Sequence, residues 1–114
     1  MFEVFVMKTI STDDEINSLI ERMAMNDTEA ILLGAQSDIP ILNLNATIFG
    51  AKFRCTSPEF AEMLKTKMLY SDNTFMGTPL ASFAVAALDV LDFQKYGGTD
   101  KLICELISSG FNFK

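Results

Sequence analysis

The sequence predicts one α+β domain spanning residues 1–114, in which a small mixed or antiparallel sheet of three to four strands packs against a helical cluster. Apolar residues alternate or run without interruption in the first half of the chain, which is typical of strands. Helix caps and apolar stripes at helical spacing dominate the second half. The expected order of elements is β-α-β-β-(β)-α-α-α.

The opening unit is predicted to be strand, helix, strand. Residues 2–10 carry apolar side chains on both alternation phases, as expected of a strand that is covered on both faces. Thr12 and Glu15 have the spacing of a capping box, so a helix should begin there. A short β-rich apolar run at residues 29–33, stopped by Gly34, predicts the second strand.

Residues 41–49 alternate apolar side chains with Asn and Thr, which predicts a strand with one apolar and one polar face. Gly50 interrupts this pattern. Residues 51–55 therefore either continue the same strand past a bulge or return as an antiparallel strand, and we favour the return strand.

The second half of the chain predicts three helices. Ser57-Pro58 and Thr78-Pro79 each place a capping residue before a proline, a usual beginning of a helix. The helix expected over residues 80–91 has no polar residue before Asp89, which is typical of a helix buried in its own core or against another subunit.

The last helix should begin after Thr99-Asp100 and end at Gly110. Residues 111–113 alternate like a short edge strand, and we expect their aromatic side chains to dock on the chain itself.

The residue types argue against most enzyme chemistry. The chain has no histidine, which removes imidazole catalysis and most transition-metal sites. Cys55 and Cys104 are too few and too far apart for a structural zinc site, and we interpret both as reduced thiols. Asp89 and Asp92 share a helical face that we interpret as solvated rather than ion-binding. We predict no catalytic residues, no metal and no cofactor.

The best candidate for a ligand site is a small basic and polar patch. Lys52 and Arg54 share one phase of the predicted return strand, and Asn43 and Asn45 share one phase of its neighbour. If these strands pair, the four side chains meet on one sheet face, suited to a small anion. Thr78 adds a helix N-terminus where backbone amides can hold an anion. The competing interpretation is an ordinary solvent-facing side of the sheet.

The formal net charge of −6 makes nucleic acid an unfavourable partner. The N-terminus lacks the basic region of a signal peptide, and no apolar stretch approaches the about 20 residues that cross a bilayer, so we expect a cytoplasmic location and no membrane contact. The apolar faces are more than one chain of this size can cover, which predicts a homo-oligomer. Helical spacing does not place Met25 and Met76 in the core.

Two functions are therefore predicted. The first is a small acidic non-enzymatic binding protein, a regulator that inhibits or modifies a cytosolic protein partner. The alternative is an oligomeric protein that binds a small anionic metabolite or nucleotide.

Overall fold

The computed structural model describes residues 12–112. The helices are α1 (Asp13–Ala24), α2 (Thr28–Gln36), α3 (Pro40–Lys52), α4 (Pro58–Thr66), α5 (Leu80–Val90) and α6 (Lys101–Ser109). A 3₁₀ turn (Met68–Tyr70) and an antiparallel hairpin of β1 (Thr74–Phe75) and β2 (Thr78–Pro79) lie between α4 and α5. Within this range the chain is mostly helical with one small sheet, which fits a mixed α+β composition.

The three- to four-stranded sheet is not seen in residues 12–112. The predicted first strand, residues 2–10, lies outside the described residues. The strand predicted at residues 29–33 is wrong, because these residues belong to α2, where the Asp27 carboxylate accepts a hydrogen bond from the Ala30 amide as an N-cap.

The strand predicted at residues 41–49 is also wrong, because these residues form most of α3. Leu42 and Ala46 satisfy a period of two, but they satisfy the helical period equally well. The buried side of α3 follows the helical period and includes Asn43 and Thr47, which the strand prediction had placed on the polar face.

Residues 51–55 are not a return strand but the end of α3. The Arg54 amide donates to the Ala51 carbonyl at 3.2 Å and the Cys55 amide donates to the Gly50 carbonyl at 2.8 Å. With Arg54 at φ +60°, these bonds form a Schellman motif, which ends the helix.

Several predicted helix ends are confirmed. The capping box of α1 is present in both directions between Thr12 and Glu15. Pro58 is the first residue of α4, Asp100 caps α6, and Gly110 ends α6 in the left-handed conformation at φ +62°. Thr78, however, does not cap α5: it pairs with Phe75 in the hairpin, and α5 begins at Leu80.

The apolar helix α5 lies at the centre of the fold. It contacts α3, α4, the 3₁₀ turn and α6, and its buried residues include Leu80, Ala84 and Leu88. Its faces are thus largely covered within one chain, which removes this helix as a reason to expect self-association; the homo-oligomer stays a prediction. No helix within residues 12–112 has the length and apolar character that crossing a membrane requires.

The C-terminal turn also packs on the chain's own core. Phe111 is fully buried and follows the Gly110 cap, so its docking on the chain itself is confirmed. Phe111 and Asn112 lie in no strand, and Phe113 lies outside the described residues.

Candidate functional site

Asn43 caps a neighbouring helix. Its side chain is only 5% exposed, and its Nδ2 donates to the Gly34 carbonyl at 2.9 Å and to the Ser37 carbonyl at 2.8 Å. These carbonyls lie at the C-terminal end of α2, where the last carbonyls have no partner within the helix. The amide that we predicted to bind a ligand is therefore used to join α3 to the end of α2.

Lys67 reaches the same helix end from the C-terminus of α4. Its Nζ donates to the Ala35 carbonyl at 3.2 Å and to the Ser37 carbonyl, and lies 4.0 Å from the Asp38 carboxylate. Burial lowers the pKa of Lys67, and the negative charge of Asp38 partly opposes this shift. We did not predict a role for Lys67, because no local sequence pattern reveals a bond to a carbonyl 30 positions away.

Arg54 joins the ends of two helices. Its backbone ends α3. Its guanidinium Nη1 donates at 2.8 Å to the carbonyl of Val90, which is the last residue of α5. A cation at a helix C-terminus is also favoured by the helix dipole. Although Arg54 is exposed, its Nη1 is already bound within the chain.

The predicted basic patch does not form as a sheet face, because all of its members except Thr78 lie in α3 or in the turn that ends it. Lys52 is half-buried, and its Nζ lies 5.6 Å from the centre of the Phe53 ring. Asn45 donates to the Ile41 carbonyl of its own helix at 2.9 Å.

Thr78 lies in the hairpin that leads into α5, apart from the α3 residues. The Leu80 amide, the first of α5, donates to the Asn73 carbonyl at 2.9 Å. This amide of the expected anion site is therefore already bound within the hairpin.

Other charged groups pair with each other or with the backbone. Arg22 contacts Asp27 at 2.8 Å and Glu29 at 3.2 Å. The hydrogen bond from Arg22 and the one from the Ala30 amide lower the pKa of Asp27. Asp89 accepts a bond from the Tyr96 amide at 2.8 Å, which holds the loop after α5.

The titratable groups of residues 12–112 form no metal site. No group of three or more Cys, Asp or Glu side chains is placed to hold an ion there. In the same range, every buried side-chain nitrogen and oxygen has a hydrogen-bond partner. The polar groups of the interior are therefore committed to the fold.

An open groove of about 780 Å³ lies along α6. Its walls are largely apolar, and the described residues that line it are Thr99, Lys101, Leu102, Cys104, Glu105, Leu106, Ser108 and Ser109. Cys104 is a free, exposed thiol in this wall. None of the predicted ligand residues is among these groove residues.

Large apolar side chains also remain on the surface elsewhere. Met25, Tyr70 and Met76 are strongly exposed. Met25 and Met76 are the two methionines that helical spacing did not place in the core. An exposed thioether can pack against partners of varied shape.

No protein family, curated protein or solved structure matches this chain. Three features of the structure bear on its function: the internally bound polar groups, the groove along α6 and the exposed apolar side chains.

Proposed function

We propose that this chain is a small acidic non-enzymatic binding protein that inhibits or modifies a protein partner by occupying its surface. The observation that carries the proposal is the open, largely apolar groove along α6. Small substrates are usually enclosed in deep pockets, whereas a helix or an extended segment of a protein fits an open groove.

Several polar side chains that could bind a small polar ligand are already bound to the chain itself, which favours a protein partner. Asn43, Lys67 and Arg54 bind backbone carbonyls of the chain itself. The surface provides apolar contact area instead, and the chain that carries it has a net charge of −6. A partner with basic groups around its contact area is therefore favoured. We place this partner in the cytosol, because Cys55 and Cys104 are unpaired thiols.

The test places a photo-crosslinking amino acid at Ser108, in the wall of the groove, in cells that express the full chain. The matched control carries the same cross-linker at Ser18, an exposed serine of α1. We expect a protein adduct from position 108 that is absent from position 18. The purified complex should weaken at high salt, because salt screens the attraction between acidic and basic surfaces. The absence of a protein adduct from the groove would contradict the proposed use of this surface.

The alternative, an oligomer that binds an anionic metabolite or nucleotide, predicts a different result. Lys52, Asn45 and Thr78 are the predicted ligand residues not bound to a distant helix end. A ligand at 100 times its Kd stabilises a protein by about 2.7 kcal/mol, which a thermal-shift panel of nucleotides and anionic metabolites detects. Light scattering on the same samples measures the oligomeric state. Stabilisation that is lost in Lys52→Ala would favour the alternative.

A further inference from the structure

Met76 occupies a position that neither burial nor turn chemistry explains. It is fully exposed, with 104% of its reference surface accessible. It forms the tip of the hairpin with Gly77, and the two residues have φ values of +53° and +84°. Two-residue turns with positive φ at both positions favour Asn, Asp and Gly, because other side chains are strained there. A methionine at this position is thus unfavourable for the isolated chain.

The hairpin that carries the Met76 side chain is joined to the rest of the fold. Thr74 pairs with Pro79 and Phe75 pairs with Thr78, and Phe75 packs against the core. The Leu80 amide bond to the Asn73 carbonyl joins the base of the hairpin to the start of α5. A side chain presented by an ordered base loses less conformational entropy on binding than one on a mobile loop.

We propose that Met76 is a contact residue that inserts into an apolar pocket with a basic rim on a protein partner. This inference rests on the proposed function and adds a second contact and the chemistry of the partner surface. The thioether supplies an adaptable apolar contact.

The charge of the chain as a whole favours one kind of partner. Residues 68–88 contain no Lys or Arg, and their single charged side chain is the exposed Asp72. With a net charge of −6 on the whole chain, a basic rim is electrostatically complementary, whereas an acidic surface is repelled. The same charge disfavours nucleic acid, anionic lipid and a second copy of this chain.

The experiment places the photo-crosslinker at position 76, at position 25 and at position 108 of the full chain in cells. Met25 is the matched control, because it is also a strongly exposed methionine but follows α1 at an ordinary φ of −97°. We expect a protein adduct from position 76 and none from position 25.

The partner that the cross-link identifies is then purified, and its affinity for three variants of this chain tests the Met76 contact. Met76→Asn should weaken binding about tenfold or more, as loss of a central apolar contact does. The same variant should unfold at an equal or higher temperature, because Asn-Gly suits the turn. Met76→Leu should keep affinity within about threefold by restoring apolar contact, and Met25→Asn should leave it unchanged.

The outcomes separate this inference from the proposed function. A protein adduct at position 108 but not at 76 overturns the inference and leaves the proposed function standing. No protein adduct at any position contradicts both. An adduct at position 76 to lipid, nucleic acid or a second copy overturns the inference, as does a Met76→Leu variant that binds as weakly as Met76→Asn.

Discussion

Replacing Asn43 with alanine tests whether this side chain is a structural cap. The change removes a 5% exposed amide that donates at 2.9 and 2.8 Å to the Gly34 and Ser37 carbonyls. A buried polar group that loses its partner costs about 1–3 kcal/mol. Because Lys67 still donates to the Ser37 carbonyl, we expect a loss of about 2 kcal/mol, below the upper end of this range. This is a large share of the about 5–15 kcal/mol that stabilises a typical domain.

Urea unfolding followed by circular dichroism measures this loss. The slope with denaturant should stay constant while the midpoint falls, and the thermal midpoint should drop by roughly 5–15 °C. Asn45→Ala is the matched control in the same helix, because the Asn45 amide bonds only to the Ile41 carbonyl of that helix. It should change stability by no more than about 0.5 kcal/mol. If both variants unfold alike, the capping role of Asn43 is refuted.

Three further predictions concern other contacts. Gly50→Ala should lower the stability of the fold by about 1–3 kcal/mol, because the new Cβ would lie 2.2 Å from Cζ of the buried Phe60. Gly97→Ala is the control: a Cβ there would meet no atom within 4 Å, so calorimetry should show unchanged stability. Arg54→Ala should lower the free energy of unfolding by about 1 kcal/mol, because it removes the bond to the end of α5. Arg54→Gly should lower it by less, because glycine adopts the positive φ without strain. Equal losses of the two variants in denaturant unfolding would contradict this prediction. The pKa of Asp27 is lowered in the folded state, so its stabilising effect is complete above its unfolded pKa of about 3.9 and is lost as pH falls through the lower folded value. Unfolding midpoints between about pH 7 and about pH 2 should therefore fall less steeply in Asp27→Asn than in the wild type, and parallel curves would refute the link.

The helix ends were the most predictable part of the fold. The capping box at Thr12, the Asp100 cap and the Gly110 stop each depend on backbone groups within a few residues, so their signals are complete in the local sequence. The strand predictions failed for a related reason. Leu42 and Ala46 fit both a strand and a helix, and the period alone cannot choose between them.

The predicted ligand residues show the same limit. The sequence predicted Asn43 and Arg54 as ligand residues on one polar face of a sheet, and residues 12–112 do not contain that sheet. Their actual partners lie up to 36 positions away, at the ends of other helices. Lys67 gave no local signal at all, although it contributes to the same helix end as Asn43.

The acidic charge, the lack of histidine, several helix ends and the two methionines outside the core can be read from the sequence alone. Tertiary contacts are needed to see that α3 is a helix, that α5 is covered within the chain, and that the polar side chains cap helices instead of forming a patch. The difference lies in the range of the interactions. Caps and turns are local hydrogen bonds, whereas burial and the pairing of helix ends depend on which distant segments meet.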